Sequence, residues 1–133
     1  MLRVKAQIKS SPIQGIGLYA DQYIPKGTVT WQYDPKFDVG FTEEDIADMS
    51  EMAREQFLVY AYFDHERGLY ILCSDYQRFI NHSNQPNIIS TPDQDIAARD
   101  ILPGEEMTCD YTGYEYDWFE RRNKKRADFE SDQ

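Results

Sequence analysis

Turn signals cut this chain into short pieces, and that limits what it can fold into. Ser10-Ser11-Pro12, Gly15 and Gly17, Ile24-Pro25-Lys26-Gly27, Ser74-Asp75, Ser83-Asn84-Gln85-Pro86-Asn87 and Leu102-Pro103-Gly104 recur along the 133 residues. Proline fixes one backbone angle and removes a donor, while Asn, Asp and Ser bond their own backbone, so regular structure stops at each place. The pieces between them read mostly as strands. Residues 4–9 alternate Val4, Ala6 and Ile8 with polar neighbours, and 18–20, 28–33, 69–73, 87–91, 96–100 and 107–111 are short β-rich runs. Trp31 and Tyr33 stand two apart in such a run and share a face. One helix is expected from residue 42 to about 60: Thr42 can cap it, Glu43, Glu44 and Asp45 suit the positive end of its dipole, and Ile46, Met49, Ala53 and Phe57 recur at helical spacing. A second is expected over 115–129. The fold class is mostly β (α+β), built from several small sheets with one or two short helices. Residues 1–120 form one domain, followed by a basic-then-acidic tail, 121–133, helical or frayed.

Composition excludes several classes. With 41% hydrophobic and 29% charged residues the chain is globular in character. It contains no apolar run of the roughly 18 residues that a membrane span needs. Nor does it open on an apolar leader, so an intracellular setting is expected: bacterial cytoplasm, or the nucleus or cytoplasm of a eukaryote. A chain this short also admits a homodimer. Cys73 and Cys109 form no CxxC pair and have no histidine at ligand spacing, so no metal site and no disulfide are expected. The net charge is −10, yet Arg121, Arg122, Lys124, Lys125 and Arg126 cluster near the end. Residues 1–120 therefore carry 9 basic and 21 acidic side chains, a balance of −12. Such a body repels nucleic acid and attracts basic partners. There is one internal echo: Ile24-Pro25-Lys26-Gly27 and Ile101-Leu102-Pro103-Gly104 each read as strand, turn, strand.

Three strings carry chemistry. Gly15-Ile16-Gly17-Leu18-Tyr19-Ala20 fits a dinucleotide fingerprint in form, but Pro25 and Gly27 stop the helix that fingerprint requires. What remains is a tight turn, or backbone laid bare for a ligand. Residues 78–87, Arg78-Phe79-Ile80-Asn81-His82-Ser83-Asn84-Gln85-Pro86-Asn87, supply donors and acceptors for a polar ligand, or a hydrogen-bonded turn. Residues 104–111 lead from a turn through a strand to Tyr111, and Tyr114, Tyr116, Trp118 and Phe119 follow. That aromatic density caps a core or walls a channel for a cation.

Together and in this order, the three strings resemble those of SET-domain lysine methyltransferases. Residues 9–20 are similar to that family's first motif, 78–87 to its R-F-x-N-H-S-x-x-P-N segment, and 104–111 to its G-E-E-L-T-x-D-Y strand. The usual cysteine after N-H-S is Asn84 here, and the cysteine-rich zinc segments of many eukaryotic members are absent, so the chain looks like the compact viral and bacterial members. The resemblance implies a β-clip-like fold of small curved sheets with a pseudoknot. It implies S-adenosylmethionine as cofactor, no metal, and a basic protein such as a histone or histone-like protein as partner. Ile16, Gly17, Arg78, Phe79, Asn81 and His82 would hold the cofactor, with Trp118 or Phe119 stacking on its adenine or closing the channel. Tyr111 would orient amine and methyl group. Tyr33, Tyr60 and Tyr114 would wall the lysine channel, and Cys109, two before Tyr111 on a strand, would flank it and leave room beyond a first methyl. The alternative is a non-catalytic module that binds lysine-bearing segments through the same pocket.

Overall fold

The computed structural model describes residues 1–111. Its strands are β1 (Ala6–Ser10), β2 (Ile16–Ala20), β3 (Val29–Gln32), β4 (Asp38–Phe41), β5 (Tyr62–Asp64), β6 (Leu69–Cys73), β7 (Asn81–His82), β8 (Ile88–Ser90), β9 (Gln94–Ala97) and β10 (Glu106–Cys109). They form three small sheets, ordered β1-β2-β10-β7, β3-β9-β8 and β4-β6-β5. This is the mostly β architecture of small sheets that the turn spacing predicts. Among the described residues no helix is long and apolar enough to cross a membrane.

The expected helix over 42–60 is two helices, α1 (Glu43–Ala47) and α2 (Glu51–Tyr60). Thr42 and Asp45 make a capping box on α1, as the sequence suggests. The break follows from Ser50, whose hydroxyl accepts from the Ala53 N–H at 3.2 Å and starts a new helix. Arg54 then folds back over the end of α1, donating to the carbonyls of Ile46, Ala47 and Met49 at 3.2, 3.0 and 3.1 Å. Carbonyls orphaned by the break are thus satisfied. Phe41 meets Phe57 edge-on, centroids 4.8 Å apart, and with Ile46 and Ala61 ties both helices to β4-β6-β5. Neither β4 nor β5 shows in the sequence pattern, and a 3-10 turn (Tyr76–Phe79), capped by Asp75, precedes β7.

The echoed segments pair with each other. Ile24 and Ile101 exchange N–H···O bonds of 2.8 Å in both directions. Gly27 N–H donates to Ala97 and Gly104 N–H to Ala20, each at 2.8 Å, and both glycines sit at φ +88. A local two-fold thus relates the two turns, and Ile24 and Ile101, both fully buried, lie at its centre. Around them pack Leu18, Ile88, Met107 and Cys109. Each such side chain contributes about 1.5–3 kcal/mol by leaving water.

β10 decides where the site lies. It runs antiparallel to β2 (Glu106↔Tyr19, Met107↔Leu18) and parallel to β7 (Thr108↔Asn81, Cys109↔His82). Asn87 extends that pairing, its amide accepting from Thr108 N–H and donating to the Glu106 carbonyl, both at 2.8 Å. Three strings far apart in sequence therefore run side by side.

Candidate functional site

Glu106 holds the first face of the site. Its carboxylate accepts from Ser11 Oγ at 2.8 Å, Tyr19 at 3.4 Å and Asn81 Nδ2 at 3.0 Å. Asn81, buried to 2% exposure, also reaches the carbonyls of Gln14 and Ile16 at 3.2 and 3.3 Å. Its N–H groups thus serve the loop of the first string. Gly17 leaves room for the same contact, since a Cβ there would stand 2.4 Å from Glu106 Oε2 and push the carboxylate aside. Gly15 takes φ +46, and Ile16 between the two glycines is exposed. The loop presents nearly bare backbone beside Asn81 and His82.

His82 steers Tyr111. Its Nδ1 accepts from the Tyr111 backbone N–H at 3.1 Å, so the ring proton belongs on Nε2, which faces Asn84 Oδ1 at 3.1 Å. Asn84, at the place of the family's usual cysteine, therefore orients the imidazole. The Asp110 carboxylate lies 3.6 Å from Nδ1. The Tyr111 hydroxyl, buried, donates to the Ile80 carbonyl.

Tyr111 forms part of the wall of a cavity of about 430 Å³ between the β4-β6-β5 and β3-β9-β8 sheets. Tyr60, Tyr62, Phe63 and Trp31 supply the other aromatic walls, with Arg78 and Ile80 beside Tyr111. Phe79 braces Tyr60 edge-on at 5.3 Å. The floor is polar: Gln77 Nε2 donates to Asp95 Oδ2 at 2.7 Å, and Asp95 is 4% exposed. Burial pushes the Asp95 carboxyl up to about 7, against the hydrogen bonds of Ser90 and Gln77. Burial also raises the Tyr62 phenol and the Cys73 thiol, so both stay neutral.

The rim is a clamp. Arg67, on the β5–β6 turn, binds Asp64 and Asp93 at 2.7 Å each and the Pro92 carbonyl at 3.2 Å, and its guanidinium lies 3.6 Å over the Tyr33 ring. Burial works against its charge, and the two carboxylates outweigh that.

Of the site residues expected from sequence, the structure brings Tyr111, Tyr60 and Arg78 together on the cavity, with Phe79 behind Tyr60. Ile16 and Gly17 on β2 lie in the neighbouring sheet with Asn81 and His82 on its edge strand β7, and Asn81 reaches the Ile16 carbonyl. Tyr33 lies under Arg67 rather than on the cavity wall. Cys109, the last residue of β10, is 1% exposed and packed in the core with Leu18 and Met107, and it does not line the cavity. Tyr114, Trp118 and Phe119 lie outside the described residues. Glu106, Gln77, Asp95 and Trp31 were not foreseen as site residues. The expected strand began at Ile96, which left Asp95 in a turn; had β9 been started at Gln94, alternation would have turned Asp95 inward with Ala97. Among the described residues no group of three His, Cys, Asp or Glu is placed to hold a metal.

The SET domain family model matches residues 15–112. The rat histone-lysine N-methyltransferase SETMAR is 28% identical over 144 residues, covering 96% of this chain and 45% of that protein. The Drosophila melanogaster histone-lysine N-methyltransferase trr is 31% identical over 129 residues, 82% of this chain and 5% of that protein. The chain thus spans less than half the length of these curated relatives. A humanized mutant of the Chaetomium thermophilum Polycomb Repressive Complex 2 superposes with a TM-score of 0.62 at 19% identity, over 88% of this chain and 16% of that one. At that identity the likeness carries the fold.

Proposed function

The chain belongs to the SET domain family, and from that premise we propose that it transfers methyl groups from S-adenosylmethionine to lysine side chains of a basic protein such as a histone. The observation that carries the reading is the meeting of two features at Tyr111: an aromatic cavity on one side, and the Gly15–Gly17 loop with Asn81 and His82 nearby, linked to Tyr111 through His82.

The residues fit the cofactor. A loop with one left-handed glycine and a second whose Cβ would displace the Glu106 carboxylate offers backbone groups to a polar, zwitterionic molecule. The bound cofactor supplies an electrophilic methyl group. This chain's own residues do the rest. Tyr60, Tyr62, Phe63 and Tyr111 wall the cavity and exclude water from an amine inside it, which favours the neutral form. Tyr111, its hydroxyl held by Ile80 and its backbone by His82, fixes the line along which amine and methyl meet. The −12 balance of residues 1–120 favours basic partners.

Isothermal titration of S-adenosylmethionine into chelator-treated protein tests the reading. Saturable binding without metal is expected, and a folded sample that binds none contradicts it.

A further inference from the structure

Ser90, Asp95 and Trp31 form one row across the β8-β9-β3 sheet, Asp95 pairing with Ser90 on one side and Trp31 on the other. Directly opposed residues project to the same face, and all three line the cavity that Tyr111 walls. A bulge between Val29 and Trp31 brings the indole into this row. Gln77, 6% exposed, fixes the carboxyl through Nε2, while its own Oε1 and the Trp31 Nε1 have no hydrogen-bond partner among the described residues. The cavity floor therefore holds a buried acid among polar atoms with unspent capacity, which native interiors seldom tolerate without a use.

Among the described residues no cation is bonded to that acid. Arg67 is spent on Asp64, Asp93, Pro92 and the Tyr33 ring, and Arg78 Nε donates to the Cys73 carbonyl at 2.9 Å. Tyr111 keeps its hydroxyl proton on the Ile80 carbonyl, and a neutral phenol is too weak a base to take a second one. Resting on the methyltransferase reading, we propose that Asp95 accepts the proton the substrate amine must lose in this cavity. In that step an N–H bond of the ammonium breaks and its electron pair stays on nitrogen, ready to attack. An O–H bond forms on the Asp95 carboxylate, and the acid returns the proton to solvent when the product leaves. No further reactant is needed.

The electrostatics agree. An acid near 7 changes state at neutral pH, where acid–base work is most effective. The groups around it leave it that role. Cys73 on β6 and Tyr62 on β5 are neutral, Asp64 is paired with Arg67, and Asp38 on β4 faces the Met1 nitrogen at 2.9 Å. His65 and Glu66 stand exposed on the rim; Tyr60, Arg78 and Tyr111 complete the wall.

The test compares pH profiles of kcat for a lysine-rich histone-tail peptide and the same peptide with aminoethylcysteine, a less basic amine, at the target position. Wild-type protein should show an acid limb near pH 7 that is the same for both peptides. Asp95→Asn keeps an oxygen for Gln77 and should fold. It should lose that limb, run about a hundredfold slower at pH 7, gain rate as pH rises past 9, suffer less with the less basic peptide, and bind S-adenosylmethionine unchanged. A variant with the wild-type rate and profile overturns the proposal. So does a wild-type limb that moves with the basicity of the amine, a result that needs no variant. Wild-type protein that methylates neither peptide overturns the methyltransferase reading and this one with it, whereas an active wild type with an indifferent Asp95→Asn overturns this one alone.

Discussion

Glu106 decides whether three separated stretches of chain meet, and Asn81 is the donor it depends on. Asn81→Asp would set a second carboxylate 3.0 Å from Glu106 and remove the donor to the Gln14 and Ile16 carbonyls. A buried charge without a partner costs about 3–5 kcal/mol, so urea midpoints should fall far more for Asn81→Asp than for Asn81→Ala, where about 1–3 kcal/mol is expected. Equal losses would show that Glu106 is not the partner that matters. The sequence pointed to Asn81 and Glu106 through their separate strings, but not to their contact, which exists only once β10 lies beside β7. Asp95 adds a pH signature to stability. Its carboxyl rises from 3.8 unfolded to about 7 folded, so the native state keeps the proton longer. The cost is absent below the unfolded value, grows with pH between the two, and is complete above about 7; at ~1.4 kcal/mol per unit it is of order 4 kcal/mol. Asp95→Asn should therefore match wild type near pH 4 and melt progressively higher up to about pH 7, then level off. A stability difference independent of pH would contradict the burial argument.

Among elements, the paired turns at Ile24 and Ile101 are the most symmetric feature. Gly27 and Gly104 share φ +88, and neither would meet an atom within 4 Å if given a Cβ. The penalty for alanine is thus purely one of backbone, about 1–2 kcal/mol, and Gly27→Ala and Gly104→Ala should lower stability equally in chemical denaturation. Unequal losses would mean that the two turns are not equivalent. These turns were legible in sequence because proline and glycine act locally; that they pair with one another was not, because nothing local encodes it. The helical segment teaches the converse. Ile46, Met49, Ala53 and Phe57 keep a helical period across the break, while Ser50 and Arg54, which make it, look like ordinary helix-surface residues. β4 and β5 escaped notice because they are only 4 and 3 residues long, too short for alternation to develop. The core strands β2, β6, β8 and β10, by contrast, announce themselves through runs such as Leu69–Cys73.

At the scale of the whole molecule, charge and cavity act together. A body carrying −12 over residues 1–120 should draw in a basic peptide from a distance. That attraction is screened as the Debye length falls from about 10 Å at 0.1 M salt to about 3 Å at 1 M. The Michaelis constant for a basic peptide should therefore rise with salt while S-adenosylmethionine affinity changes little; a flat constant would assign the charge to solubility alone. The central claim is that Tyr111 stands where amine and methyl group meet. Its most direct test is mass spectrometry of a lysine-rich histone-tail peptide after incubation with S-adenosylmethionine and either wild-type protein or Tyr111→Phe. Losing the hydroxyl removes one hydrogen bond, about 1 kcal/mol of stability, and leaves the ring in place, so the variant should fold and bind cofactor. The account predicts methylated lysine with wild type and a rate lower by about a hundredfold or more with Tyr111→Phe. Unmodified peptide with folded, cofactor-bound wild type, or equal rates for the two proteins, would contradict it.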